Sequence, residues 1–184
     1  MGESERPSES RFRHYAESVP PFAWGEPVQI PSDLEVARTV QAQIEAEIRR
    51  AGWMGEQEFF NFKTALEEAM VDAIKHGNQC DRSKQVTVRW VVSQKHVAVA
   101  ITDEGEGFDP FEVPDPAAPE NIERPCGRGL LLINEYTSGW RYDNITKTLT
   151  MWKRKSGIEA SSSPSGMQRL LLVVRRMFRI VFRS

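Results

Sequence analysis

The stretch EAMVDAIKHG, residues 68–77, decides how the fold is predicted. It closes a long pattern of apolar residues at helical spacing, and its Gly77 is a natural helix stop. Glu68, Asp72 and His76 are four residues apart, so they share one stripe beside the apolar face of that helix. Charged residues usually line the solvated side of a helix. The stripe is therefore either a wet face or the polar rim of a pocket between the helix and a sheet.

The segments around this helix alternate between helical and extended periodicity. An earlier helix is predicted to start at a capping box formed by Ser32 and Glu35, and to end at Gly52. Apolar residues at every second position predict strands, and a short helix is predicted late in the chain. The predicted strands are 28–30, 86–92, 97–101, 140–143 and 148–153, and the short helix is 129–136. This order predicts a two-layer α/β sandwich, with helices on one face of a mixed, mostly antiparallel sheet.

The flanks of this unit differ from its centre in composition. Residues 1–24 are rich in Ser, Glu, Arg and Pro and are predicted to be a loose arm. Residues 25–155 are predicted to form the folded domain. Residues 156–166 have the composition of a Ser/Gly linker, and residues 167–184 form a separate tail.

Composition and charge narrow the classes of function. The 184 residues are 40% hydrophobic and 27% charged, which fits one folded domain with tails. The net charge of −2 does not indicate a nucleic-acid binder. Cys80 and Cys126 are far apart and no histidines cluster, which argues against a zinc site or a disulfide scaffold. A polar beginning without a leader, and the lack of a long apolar run, predict a cytoplasmic protein.

Two glycine-containing patterns follow the central helix. The first, DEGEGF at residues 103–108, comes directly after a predicted strand. Its glycines allow a ligand to approach the backbone and Asp103 can accept from an amine, although an acidic turn would look the same. The second, GRGL at residues 127–130, opens a helix, whose free N–H groups attract phosphate. By itself it also fits a loop. The long glycine- and proline-rich loop between the two patterns is typical of a functional lid or of disorder.

Together and in this order, the three patterns resemble the ATP-binding fold shared by histidine kinases, gyrase-type topoisomerases, mismatch-repair ATPases and the heat-shock chaperone ATPase. This is the GHKL, or Bergerat, fold. Within it, the chain is most similar to the bacterial anti-sigma-factor serine kinases of the RsbW type. The resemblance rests on residues 68–77 and on GRGLLLI at residues 127–133. It covers about residues 27–154, and neither the arm nor the tail.

The resemblance implies a role for each matching residue. Glu68 would be the general base that takes the proton from an attacking serine hydroxyl. Asp103 would receive the amino group of adenine, and Asp72 stands where the family usually has the asparagine that binds Mg²⁺. The other positions expected at the ATP are Lys75, His76, Gly105, Gly107, Phe108, Gly127, Arg128, Gly129, Leu130 and Thr148.

The aspartate at position 72 leaves two alternatives open. A carboxylate is a hard oxygen ligand that suits Mg²⁺. It also places an extra negative charge beside a triphosphate, which should weaken metal-free ATP binding. Either the site catalyses phosphoryl transfer with a carboxylate at the metal, or it binds nucleotide without efficient catalysis.

The activity expected from the resemblance is that of an ATP- and Mg²⁺-dependent protein serine kinase. It would act as an anti-sigma factor and a homodimer, phosphorylating a small antagonist of the STAS class and sequestering a sigma factor. A non-catalytic, nucleotide-dependent binding switch is the alternative. A histidine-kinase ATP domain acting in trans is a third interpretation, which acid-labile label on histidine would support.

The tail, residues 167–184, carries five arginines and no acidic residue. Subtracting these five positive charges from the total of −2 leaves −7 for the rest of the chain. On a helix, the arginines fall within one arc and apolar side chains fill most of the remainder. Such a basic amphipathic helix can lie on an anionic membrane surface, dock on its own domain or a second subunit, or bind another protein. All three alternatives remain open from the sequence.

Overall fold

A computed structural model describes residues 11–114, 116 and 128–155. Within these residues, eight helices and strands follow one another in the predicted order. They are β1 (Val28–Pro31), α1 (Leu34–Ala51), α2 (Glu56–Asp72), β2 (Gln85–Val92), β3 (His96–Thr102), α3 (Arg128–Tyr136), β4 (Gly139–Asp143) and β5 (Thr148–Arg154). Between α2 and β2 the chain makes a π-helical turn over Ala73–Gly77.

The five strands form one sheet in the order β1-β2-β3-β5-β4, and every neighbouring pair is antiparallel. The two-layer α/β architecture, with a mostly antiparallel sheet, is therefore confirmed. Within the described residues, parallel pairing occurs in an isolated bridge between Tyr15 and Trp140. One face of the sheet packs against the helices. The fully buried side chains at this interface include Ile44, Phe62, Leu66, Val88, Val99 and Met151.

Helix α1 begins one residue later than the predicted capping box. Asp33, not Ser32, is the N-cap, and its carboxylate accepts from the backbone N–H of Glu35 at 2.8 Å. Ser32 is buried and donates instead to the carbonyl of Lys84. The hydroxyl is therefore engaged in tertiary packing, and the neighbouring carboxylate satisfies the free helix N–H. The predicted end at Gly52 is correct, since Gly52 has a φ of 69° and donates to the carbonyl of Ile48.

The N-terminal segment is ordered against the domain from residue 11 onward, so the expectation of a loose arm does not hold for residues 11–24. Phe12 is only 4% exposed, and its ring meets the Trp140 ring edge to face at 5.0 Å. Farther along, Phe22 contacts Trp152 on the sheet face away from the helices. The aromatic residues of the segment thus find apolar partners that its overall composition conceals. Residues 1–10, the linker 156–166 and the tail 167–184 lie outside the described residues.

Candidate functional site

Glu68 and Asp72 lie on α2 where it faces the start of α3. A Cβ atom built on Gly129 would lie 2.7 Å from Asp72 Oδ2 and 3.2 Å from Glu68 Oε2. Glycine therefore lets α3 begin directly against these two carboxylates, with no side chain between them. Glu68 is half-buried, whereas the adjacent Glu67 is exposed, as the helical geometry predicts. Two acidic groups and the first turn of a helix thus converge at one place.

Burial changes the proton affinity of both carboxylates. It raises the pKa of Glu68, with a further increase from the charge of Glu67 and a decrease from Lys75. It also raises the pKa of Asp72 to about 6, against the lowering effect of His76, whose Nε2 lies 3.9 Å from Asp72 Oδ1. The charge of Glu68 adds to the shift at Asp72. A carboxylate with a pKa closer to neutrality is a better proton acceptor in catalysis.

The π-helical turn connects these carboxylates to the second half of the site. Such turns are rare and often lie at functional sites. Lys75 and His76 occupy its exposed side, where their charges act on Asp72. Gly77, the last residue of the turn, packs against Asp103. The turn therefore sets the distance between the acidic pair on α2 and the end of β3.

The turn after β3 holds Asp103 in a tightly packed position. A Cβ atom on Gly77 would lie 2.6 and 2.7 Å from the two carboxylate oxygens of Asp103. A Cβ atom on Gly105 would lie 2.7 Å from the carbonyl carbon of Gly77 and 2.8 Å from Asp103 Oδ1. The N–H of Gly105 donates to that same Oδ1 at 2.8 Å. Gly77 and Gly105 thus form a glycine cradle around the Asp103 carboxylate, in which a side chain at either position would collide with its neighbours.

The Asp103 carboxylate is half-buried, and burial raises its pKa against the opposing effects of the Gly105 N–H, Lys147 and Lys84. Within residues 11–114, 116 and 128–155, no side-chain donor makes a hydrogen bond to this carboxylate. Its second oxygen can therefore accept from an N–H group of a ligand, which is the role expected for it at adenine.

The β4–β5 connection packs against the same turn. Gly107 has a φ of 79°, and a Cβ atom there would lie 2.7 Å from Lys147 Nζ. That ammonium donates to the carbonyl of Glu106 at 2.6 Å and to Asn144 Oδ1 at 3.1 Å. Lys147 therefore holds the start of the loop after β3. The sequence does not distinguish this residue, because a lone lysine in a hairpin resembles any solvated turn residue.

Two further expected residues lie beside this connection. Thr148 Oγ1 is 2.7 Å from Thr102 Oγ1, directly across the β3–β5 pair. The ring of Phe108, 39% exposed, stacks obliquely on Tyr142 at a centroid distance of 4.4 Å. Both residues are thus near Asp103, at the end of the site opposite Glu68.

The structure describes three of the four residues of the expected phosphate-binding segment, residues 127–130. Gly127 lies outside the described residues, and α3 begins at Arg128. Leu130 is 5% exposed and belongs to the hydrophobic core, so only its backbone can face a ligand. Arg128 is half-buried, and Gly129 is the position at which α3 meets the carboxylates of α2.

Asp72 has the chemistry of a Mg²⁺ ligand, but it is not part of a complete set of protein ligands among the described residues. In the part of the chain that the structure describes, no three His, Cys, Asp or Glu side chains are grouped closely enough to hold a metal ion. Mg²⁺ commonly uses one or two protein carboxylates together with substrate phosphates and water. A half-buried carboxylate beside the first turn of α3 provides that kind of partial site. The same ranges contain no helix with the length and apolar character needed to cross a bilayer.

A family model described as the histidine kinase-like ATPase domain matches residues 30–153. The chain belongs to this family. The resemblance inferred from residues 68–77, 103–108 and 127–130 is therefore confirmed at the level of the ATPase domain.

The chain is also similar to proteins named as an anti-sigma factor and as serine-protein kinases. Over 56 residues it is 34% identical to an anti-sigma F factor of Clostridium perfringens, a match that covers 30% of this chain and 40% of that protein. It is 23% identical over 133 residues to the serine-protein kinase RsbW of Oceanobacillus iheyensis, covering 69% of this chain and 84% of the relative. The corresponding protein of Bacillus subtilis is 26% identical over 82 residues, covering 45% of this chain and 51% of the relative.

Asp72→Asn is expected to stabilise the nucleotide-free protein near neutral pH. Because the pKa of Asp72 is raised from 3.8 to about 6, the folded state binds its proton more tightly than the unfolded chain does. The contribution of the protonated Asp72 carboxyl to the free energy of unfolding is fully present below the unfolded pKa and is lost as pH rises through about 6. Asparagine cannot ionise, so we expect a gain of about 1 kcal/mol at pH ~7 after allowing for partial exposure, and almost none near pH ~4.

Denaturant unfolding of the wild type and the variant across this pH range measures the effect. Glu26→Gln, which changes an exposed carboxylate outside the site, is the matched control and should show no such trend. A gain from Asp72→Asn that is the same at both ends of the pH range would contradict the prediction.

Proposed function

We propose that the chain is an ATP- and Mg²⁺-dependent protein serine kinase that acts as an anti-sigma factor. In this proposal it phosphorylates a small antagonist of the STAS class and sequesters a sigma factor. The observation that supports it best is the convergence of Glu68 and Asp72 on the start of α3, with the Asp103 carboxylate available at the other end. In this proposal, Glu68 would serve as the base, Asp72 as the metal ligand and Asp103 as the adenine acceptor.

Nucleotide binding would use both ends of the site. Asp103 would accept from the amino group of adenine, while Gly105 and Gly107 leave room beside it. The phosphates would lie at the first turn of α3, where free backbone N–H groups and the helix dipole favour negative charge. Residues 127–130 are the segment proposed to make those contacts. Lys75 and His76 add positive charge on the π-helical turn, with His76 contributing its charge only when protonated.

Phosphoryl transfer needs positioning and charge neutralisation more than covalent chemistry by the protein. Glu68 would hold the serine hydroxyl of the partner and accept its proton. Burial raises the pKa of Glu68, so the carboxylate holds that proton better than an exposed glutamate would. Asp72 would hold Mg²⁺, which when bound neutralises negative charge on the phosphates.

The partners are proposed from the names of the relatives and from the resemblance. Anti-sigma F factor and serine-protein kinase RsbW are the names of proteins that this chain matches in part. The proposal extends these names to a sigma factor, a STAS-type antagonist and a homodimer in the cytoplasm. It assigns no direct role to nucleic acid.

A non-catalytic switch that binds partners according to its nucleotide is the second candidate. The observation in its favour is Asp72 itself, whose charge is already disfavoured by burial and by Glu68. A triphosphate placed beside this carboxylate would add repulsion unless Mg²⁺ lies between them. The switch would share every binding residue with the kinase and would lack only efficient transfer.

Calorimetric titration of ATP with and without Mg²⁺, followed by transfer of label from γ-labelled ATP to a purified STAS-type antagonist, tests the proposal. We expect Mg²⁺-dependent binding and acid-stable label on serine. Binding without label would support the switch, and no nucleotide binding under either condition would refute both candidates. Retention of MgATP binding by Asp72→Asn is expected as well, since asparagine is the ligand that the family usually has.

We further propose that the tail, residues 167–184, makes peripheral contact with an anionic membrane surface. The five arginines and the apolar remainder of this segment support the proposal. Co-sedimentation with anionic liposomes, with and without residues 157–184, tests it. Equal pelleting of the two proteins would exclude membrane contact through the tail.

A further inference from the structure

Asn78 directly follows the π-helical turn and is completely buried. Its backbone N–H donates to the carbonyl of Ala73 at 2.8 Å, and its carbonyl accepts from the N–H of Asp81 at 3.0 Å. Both main-chain polar groups of Asn78 are therefore hydrogen-bonded, independently of its side chain. A buried amide must find partners for an oxygen and for two N–H groups, because leaving them unpaired is costly.

The side chain of Asn78 satisfies this requirement with three different segments. Its Oδ1 accepts from the backbone N–H of Glu104 at 2.7 Å. Its Nδ2 donates to Ser32 Oγ at 2.7 Å and to the carbonyl of Gln85 at 2.9 Å. One amide therefore joins the turn before α1, the first residue of β2 and the turn that carries Asp103.

These bonds continue the sheet beyond the point where its ladder stops. The β2–β3 pairing ends at Thr87 and Thr102, so the backbone after β3 is free to diverge from β2. Across the gap, the Glu104 carboxylate accepts from the N–H of Gln85 at 2.9 Å, while Asn78 links the carbonyl of Gln85 to the N–H of Glu104. Two side chains thus replace the missing backbone pair and fix the peptide that follows Asp103.

We propose that Asn78 is a positioning residue that sets the nucleobase preference of the site. By holding the Glu104 N–H, it fixes the direction of the Asp103 carboxylate, which must meet the 6-amino group of a purine. The inference rests on the proposed function, in which Asp103 receives adenine. Asn78 lies outside the three sequence patterns. If it positions Asp103, the protein should bind a purine with the 6-amino group more tightly than a purine without it.

Two ligands that differ only in this group provide the test. ATP carries the 6-amino group, whereas purine riboside 5′-triphosphate has hydrogen in its place. We expect the wild type to bind ATP about 10-fold more tightly, as one directed hydrogen bond would give. In Asn78→Ser, whose shorter side chain cannot reach the Glu104 N–H, the ratio should fall below about 3-fold. The loss should be confined to ATP, with little change for the analogue.

Two other variants serve as controls. Ser32→Ala removes one partner of the Asn78 amide but leaves its bond to Glu104, so the ratio should stay at the wild-type value. Asp103→Ala removes the acceptor and should abolish the preference. If Asn78→Ser weakens both ligands equally and keeps the ratio, Asn78 is merely structural and the inference is overturned. If the wild type binds neither triphosphate, the proposed function fails and the inference fails with it.

Amide hydrogen exchange of the wild-type protein is a measurement that does not depend on the folding of a variant. The Glu104 N–H should be protected even without nucleotide, because its acceptor is completely buried. Protection of at least about 100-fold relative to an unstructured peptide is expected. Rapid exchange at this amide would show that Asn78 does not hold the turn and would overturn the inference.

Discussion

Glu68→Gln should reduce phosphoryl transfer to a serine substrate at least ~100-fold while leaving MgATP affinity within about threefold. Glutamine keeps the shape of the side chain and its contact with the first turn of α3, but it cannot accept a proton. The raised pKa of Glu68 indicates that burial favours the protonated form, which is the state that the proton transfer would produce. The loss should therefore appear in kcat and not in nucleotide binding.

Glu67→Gln is the matched control for this change. It alters the adjacent residue in the same way, but on the exposed side of α2. Single-turnover transfer from labelled ATP and calorimetric MgATP binding would be measured for both variants. Equal loss of transfer in the two variants would contradict the assignment of Glu68. Retention of wild-type transfer by Glu68→Gln would do so even more directly.

Gly105→Ala should lower ATP affinity by at least ~30-fold and reduce the free energy of unfolding by about 1–3 kcal/mol. The added methyl group would lie 2.7 Å from the carbonyl carbon of Gly77 and closer still to its oxygen. Both atoms belong to the backbone of the π-helical turn, so no side-chain rotation can relieve the contact. The same methyl group would lie 2.8 Å from Asp103 Oδ1 and displace the proposed adenine acceptor.

Gly55→Ala is a useful comparison for this prediction. Gly55 is the N-cap of α2, and a Cβ atom there would meet nothing within 4 Å. Glycine is preferred over alanine at a helix N-cap, so this replacement should reduce the free energy of unfolding by up to about 1 kcal/mol, at a position away from the site. ATP titration should therefore give the wild-type affinity for Gly55→Ala, even where thermal unfolding shows a modest loss of stability. ATP affinity unchanged in a folded Gly105→Ala protein would contradict the role of this cradle.

The fold was predictable because hydrophobic periodicity dominates it. Apolar positions spaced by two and by four residues are those that the structure buries, as Val88 and Leu66 illustrate. The acidic pair on α2 was predictable for a related reason, since a helix places residues four apart on one stripe. What periodicity could not supply was the packing of α3 onto this pair at Gly129, which depends on long-range contacts.

The residues that escaped prediction act through tertiary hydrogen bonds. Ser32 has the spacing of a cap, yet its hydroxyl is paired with Asn78 and Lys84 while Asp33 caps the helix. Asn78 itself has no spacing that distinguishes it from a turn residue after a helix. Phe12 was hidden within a polar segment, because burial of a single aromatic side chain produces no periodic pattern. In each case the partner lies far away in sequence.

The N-terminal segment also limits how copies of the chain can associate. Strand β4 is the last strand of the sheet, and its outer backbone groups could pair with a strand from another molecule. The segment occupies the outer groups of Trp140, whose backbone N–H donates to the carbonyl of His14 and whose carbonyl accepts from the N–H of Ala16, each at 2.9 Å. The N-terminal segment thus covers part of this edge strand and hinders edge-to-edge aggregation there. Among the described residues, the opposite edge of the sheet is β1, which is four residues long and ends in Pro31, so it offers little backbone for strand addition.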